Sequence, residues 1–211
     1  AMVSQLDAKI GQFVDALDRT GQRDNTLIVF TSDNGGIESL TNAYVGDVGD
    51  SPLNSENDPL RGQKNTLYEG GTRVCAFVNW PGKLTPRKLT TPMHVADWMP
   101  TIADLVGYQP ETDLQWDGVN QWPNLTQATE NSTPRTIYIA MKTGHSGRHG
   151  DWKLIVPGKA APQLFHIADD PYESSDLIES KPEIVAELRE ILAMHQAKDQ
   201  PDLPPDLVGL P

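Results

Sequence analysis

The chain has 211 residues, 37% of them hydrophobic and 22% charged, the balance of a globular protein with one good core or two small ones. Its 17 basic residues face 29 acidic ones for a formal charge of −12. That excludes a nucleic-acid partner, since phosphate binding runs on clustered lysine and arginine. A single cysteine, Cys75, rules out an intrachain disulfide, and no apolar run is long enough to span a membrane.

In chain order, Met2, Leu6, Ile10, Phe13, Val14 and Leu17 fall on one stripe at the 3.6-residue period, predicting an amphipathic helix that ends near Gly21. Its acidic residues and periodicity set it apart from a signal peptide. The apolar run at 26–30 follows and reads as an interior strand of a parallel sheet covered on both faces. Ligand sites in such sheets lie beyond the carboxyl ends of strands, which is where Ser32, Asp33, Asn34, Gly35 and Gly36 stand. Residues 38–59 are polar, acidic and aperiodic, a long surface loop that is either a binding-site rim or an insertion.

The stretch "RVCAFVNW" at 73–80 predicts a second buried strand, ended by Pro81 and Gly82. A helix is predicted over 92–107, with Val95, Met99, Ile102, Leu105 and Val106 as its apolar face and Gly107 capping it; Pro100 implies a kink or a shifted start. After a polar stretch at 108–136 come "TIYIAM", "WKLIVPG" and "QLFHIA", short strands of a small antiparallel sheet. Residues 181–198 predict a helix with Ile184, Val185, Leu188, Ile191 and Leu192 on one face, and the last residues are a proline-rich tail.

Two places carry chemistry. Adjacent Asp33 and Asn34 offer hard oxygen ligands suited to Ca²⁺ or Mg²⁺, although the same Asp-Asn-Gly stretch is also what a plain turn looks like. Lys64 stands in a glycine-flanked segment just before a strand, where its ammonium either meets an anion or is solvated. Glu69 and Arg73, one helical turn or two strand steps apart, are spaced to pair.

Together, "DNTLIVFTSDNGG", "LRGQKNTLYEGGTRVCAFVNWPG" and "HVADWMPTIADLVG" resemble, in order and spacing, the second half of the sulfatase family. "GRHGDWKLIVPG" and "QLFHIADDPYESSDLIESKPEIVAELREIL" are similar to the C-terminal subdomain of its arylsulfatase B-like, N-acetylgalactosamine-4-sulfatase-type members. The resemblance covers the chain from the first helix to about Ala197. It implies an α/β fold: part of an alkaline-phosphatase-like sulfatase sheet flanked by helices, followed by a small C-terminal antiparallel sheet with a helix. The implied layout is the later part of the catalytic domain at 1–108, a linker at 109–136, the C-terminal subdomain at 137–198 and the tail at 199–211.

By the same resemblance, Asp33 and Asn34 are ligands of a divalent cation, usually Ca²⁺ with Mg²⁺ as the alternative. Lys64 contacts the sulfate and helps bear charge on the leaving oxygen. The family's nucleophile is a formylglycine made from the first residue of a Cys/Ser-x-Pro-x-Arg motif. Here Cys75 is followed by "AFVN", and "STPR" at 132–135 has its arginine one place early, so neither fits. The expectation is therefore the C-terminal portion of a sulfatase acting on a sulfate ester substrate, inactive alone, able to self-associate through its truncated sheet, and periplasmic, secreted or lysosomal. Two other readings stay open: a phosphoryl-transfer relative on the alkaline-phosphatase fold, and a non-catalytic sulfated-glycan-binding module. His94 and His149 match positions common in the arylsulfatase B-like members, with packing or substrate-rim roles.

Overall fold

A computed structural model describes residues 2–38, 55–127 and 134–199. Most of the predicted 38–59 loop, the residues 132–133 of "STPR" and all but the first residue of the tail lie outside the described residues. The elements in order are α1 (Met2–Arg19), β1 (Ile28–Thr31), α2 (Glu69–Thr72), β2 (Ala76–Asn79), α3 (Trp98–Leu105), α4 (Trp122–Thr126), β3 (Thr136–Met141), β4 (Gly144–His149), β5 (Trp152–Pro157), β6 (Gln163–His166) and α5 (Pro182–Gln196). They fall into two compact units: residues 1–31 with 75–132, and residues 32–74 with 133–211.

In the first unit the predicted amphipathic helix α1 forms, but none of its residues is buried, and Phe13 on its apolar stripe is 54% exposed. β1 pairs with β2 in an antiparallel ladder running from Ile28 opposite Asn79 to Thr31 opposite Ala76, with the Phe30 and Phe77 rings stacked at 4.9 Å. The parallel pairing expected for this strand is thus corrected at the one ladder that the described residues of β1 form. An apolar run does not encode the direction of its neighbour, and the burial expected for both strands is not met either, with Val29 36% and Phe77 51% exposed. Pro100 causes no kink, because α3 starts at Trp98 and the proline lies in the first turn, where no intrahelical hydrogen bond is lost. A short 3-10 turn, Val95–Asp97, leads into it. Asp97 is fully buried and accepts from the His94 N–H at 2.7 Å and the Val119 N–H at 2.9 Å. The hydroxyl of Thr101, also buried, accepts from the Gln121 N–H at 2.9 Å, so polar bonds fasten the chain around 119–121 to α3.

The second unit holds a four-stranded antiparallel sheet in the order β3-β4-β5-β6. Three of its strands match the sequence reading. The fourth, β4 ("GHSGRH"), has no apolar pattern to announce it; its centre is Ser146 and Gly147, both buried. A Cβ on Gly147 would stand 2.0 Å from Leu192 Cδ2, so glycine is what lets α5 lie against this strand. Alternation along β5 and β6 divides the core in two. Leu154 and Leu164 face Leu188 and Leu192 of α5, while Ile155 and Phe165 face Leu67 and Ile167. The sheet therefore has the helix on one face and the chain around Leu67 on the other.

Candidate functional site

All the sequence-predicted site residues belong to the second unit. Their scaffold is the segment 61–73, anchored on the sheet face opposite α5. Leu67 is buried there with Tyr68 packed beside it, and the Tyr68 hydroxyl donates to Gln163 Oε1. The Arg61 guanidinium lies 4.1 Å over the Tyr68 ring and donates to the Glu173 carbonyl at 3.0 Å. Gly70 N–H donates to Arg61 O at 2.7 Å, closing the segment into a loop that carries Lys64.

The turn at 33–36 is fastened to this loop by main-chain bonds. Lys64 N–H donates to Gly36 O at 3.1 Å, and Gly35 N–H donates to Gly71 O at 3.1 Å. The approach is so close that a Cβ on Gly35 would fall 1.7 Å from Gly70 O, which is the physical reason for glycine at 35; a Cβ on Gly70 would meet Gly62 O at 2.3 Å within the loop itself. Asp33, Asn34 and Lys64 are thus brought onto one local framework. Asp33 is exposed, and Asn34 and Lys64 are half-buried. Asn34 Nδ2 donates to Gly35 O at 2.9 Å, which engages the amide nitrogen; the side-chain oxygen is the atom a hard cation would use. Among the described residues no three His, Cys, Asp or Glu side chains are grouped to hold a metal.

Sequence reasoning missed Asn57. Its side chain accepts from Gly36 N–H at 2.8 Å and donates to Gly36 O at 3.0 Å and to Gly62 O at 3.3 Å, clasping the turn to the lysine loop. Nothing in the polar stretch around it singles it out. Glu69 and Arg73 do pair, at 3.7 Å, but the stronger partner of Glu69 is Lys153 of β5. Lys153 Nζ lies 2.8 Å from Glu69 Oε1 and 2.9 Å from Glu173 Oε1, and Glu173 Oε2 accepts the Glu69 N–H at 2.7 Å. The three residues are 3%, 5% and 0% exposed for Lys153, Glu69 and Glu173. Burial pushes the Glu173 carboxyl above its ordinary value, against the pull of the Lys153 ammonium and the Glu69 N–H. The one signal in the sequence was a lysine at an inward position of an apolar strand.

Two of the histidines make internal contacts. His94 N–H and Nδ1 cap the 3-10 turn before α3, and His149 Nδ1 lies 2.9 Å from Thr136 Oγ1 across the β3–β4 ladder. Cys75 is exposed. Asn124 is buried with its Nδ2 donating to Gln121 Oε1 at 2.9 Å.

Residues 1–108 match the family model described as Sulfatase. The chain is 29% identical to an N-acetylgalactosamine-6-O-sulfatase of Bacteroides thetaiotaomicron, over 90% of this chain and 40% of that protein. It is 30% identical to arylsulfatase J of Mus musculus, over 89% of this chain and 38% of that one. Among solved structures, that of Ps i-CgsB in complex with k-i-k-neocarrahexaose superimposes with a TM-score of 0.81 at 30% identity, covering 95% of this chain and 43% of that one. The chain spans about two fifths of the length of these relatives. The fold class expected from the sequence holds, an alkaline-phosphatase-like sulfatase α/β fold with a C-terminal antiparallel sheet and helix. Motif order, fold and family match agree, and the chain belongs to the sulfatase family.

Proposed function

We propose that the chain is the C-terminal portion of an enzyme that hydrolyses aryl or carbohydrate sulfate esters. The observation that carries this reading is the Lys64 N–H to Gly36 O bond, which sets the lysine loop directly against the Asp-Asn-Gly-Gly turn. Lys64 would hold a sulfuryl oxygen and bear part of the charge that develops as the ester bond breaks. Asp33 and Asn34 would contribute two hard oxygens to a Ca²⁺ or Mg²⁺ shell completed by ligands beyond these two. When bound, such an ion supplies charge neutralisation at the sulfuryl group. The formylglycine nucleophile would come from polypeptide outside these 211 residues, which contain no Cys/Ser-x-Pro-x-Arg motif. A periplasmic, secreted or lysosomal setting goes with this reading; no described helix is long and apolar enough to cross a membrane.

The test is sulfate release from p-nitrophenyl sulfate by a polypeptide that carries these residues together with a formylglycine motif, with p-nitrophenyl phosphate as the competing substrate. Lys64→Ala is expected to lower turnover by about a hundred-fold, the usual loss for one charge-stabilising donor. Unchanged turnover would remove Lys64 from the site. Preferred phosphate hydrolysis would favour the phosphoryl-transfer reading, and sulfate release by the 211 residues alone would show that the nucleophile lies within them.

A further inference from the structure

Lys153 is out of place by the rules that shape the rest of its strand. On either side of it Trp152 and Leu154 pack toward α5, while Ile155, next on its own face, joins Leu67 and Phe165. An apolar residue at 153 would extend that second face at no desolvation cost. A buried ion cluster instead takes three charges out of water, and such clusters are often no more stable than the hydrophobic packing that could replace them. Bulk stability therefore does not account for the lysine. What a charged cluster supplies and a greasy contact does not is a single fixed position, because its hydrogen bonds are directional and short.

The partners show what is being fixed. Glu69 opens α2, immediately before Gly70 and Gly71, whose carbonyl and N–H groups receive the 33–36 turn and close the lysine loop. Glu173 is held on the C-terminal side with φ at 54°, a conformation that non-glycine residues rarely adopt, and its side chain is fully buried. Its Oε2 accepts the Glu69 N–H, while its Oε1, which has no hydrogen-bond partner, is held by the Lys153 ammonium as an ion pair at 2.9 Å; Lys153 hydrogen-bonds Glu69 Oε1 at 2.8 Å. A strained backbone aiming a buried acid at one amide and one ammonium is the form expected of a locating device.

We propose that Lys153 is a positioning residue: through Glu69 and Glu173 it locates the loop at 61–71, and with it Lys64 and the Asp33-Asn34 turn, on the C-terminal sheet. The role assumes that Lys64 and the turn form the sulfate site described above. Lys153 touches neither substrate nor reacting atoms; it acts through the loop.

The experiment is amide hydrogen exchange on the 211-residue chain, read without substrate so that its outcome is separate from the sulfatase reading. In wild type the Gly35, Lys64 and Gly70 amides, which donate to Gly71 O, Gly36 O and Arg61 O, should be protected. Lys153→Met leaves two buried carboxylates without their cation and is at risk of unfolding, so the neutral triple variant Glu69→Gln, Lys153→Met, Glu173→Gln is measured beside it. In the triple variant we expect the β4 and β5 amides to keep their protection while those three loop amides exchange at least about ten-fold faster, as local opening separates from global unfolding. Wild-type protection of the loop amides in the triple variant would overturn the proposal. So would equal loss at loop and sheet amides, which would mark the cluster as part of general stability.

Discussion

Placing one methyl group at Gly35 tests whether the turn and the lysine loop are held as tightly as the structure has them. In Gly35→Ala the new Cβ would stand 1.7 Å from Gly70 O, 2.8 Å from Gly70 C and 3.1 Å from Gly71 Cα. Every atom it meets is backbone, so no side-chain rotation relieves the contact. Non-bonded heavy atoms want a separation of roughly 3.5 Å, so the two stretches must part by more than an ångström. The Gly35 N–H to Gly71 O bond at 3.1 Å cannot survive that. Overpacking of this kind costs about 1–3 kcal/mol and a lost buried hydrogen bond about 1 kcal/mol. Together they predict a loss of about 2–4 kcal/mol, a large share of the stability of an ordinary domain. Urea titration with exchange of the β5 amides as the readout reports the second unit by itself. Gly11→Ala, inside α1 of the first unit with open space around it, is the control: it should stabilise that helix by about 0.5–1 kcal/mol and leave the β5 amides as in wild type. A Gly35→Ala protein as stable as wild type, with its residue-35 amide still protected, would refute the close-approach argument.

Three further outcomes are expected. The Tyr138 hydroxyl donates to Asp199 Oδ2 at 2.7 Å, and burial, followed by that carboxylate, pushes its pKa up to about 12 from an ordinary 10.0. A raised pKa means the contribution to stability is whole below pH 10 and fades as pH climbs toward 12, so phenolate absorbance should show one late tyrosine that Tyr138→Phe removes; a titration without it would contradict the bond. Calorimetry should find Ca²⁺ binding to the 211 residues weak or undetectable, since two oxygens make a poor site in water; tight stoichiometric binding would mean that further ligands lie within the chain. Self-association should appear in sedimentation as concentration rises, because Phe13 on α1, Met99 and Ile102 on α3, and Val95 and Val106 just before and after α3 leave apolar side chains in water; a monomer at all concentrations that binds no hydrophobic dye would count against it.

The sequence made some of this legible and hid the rest for identifiable reasons. α5 was plain, since Ile184, Val185, Leu188, Ile191 and Leu192 repeat at helical spacing and all pack on the sheet. Asp33, Asn34 and Lys64 were found as parts of motifs, and their mutual placement follows from two main-chain bonds that no side-chain pattern encodes. β4 was invisible because its two buried residues, on opposite faces of the strand, are a serine and a glycine, and Gly147 is there for the close approach of α5 rather than for hydrophobicity. Glu173 could not be foreseen at all: it meets Glu69 across 104 residues of chain, a contact that only the folded sheet creates.

The two-sided use of β5 makes the chain intolerant of changes in length where it tolerates changes in identity. Neighbouring residues on this strand serve different layers, Leu154 toward α5 and Lys153 toward the carboxylates. Losing or gaining one residue in the tight turn before Trp152 would slide the strand by one place and exchange the two faces. The ammonium would then be pressed among Leu188 and Leu192, and a leucine would confront two buried acids. Within the family, the length of the β4–β5 turn should therefore be held more strictly than the residues that fill it, and loop insertions should collect instead at the far end of the hairpin, between β5 and β6.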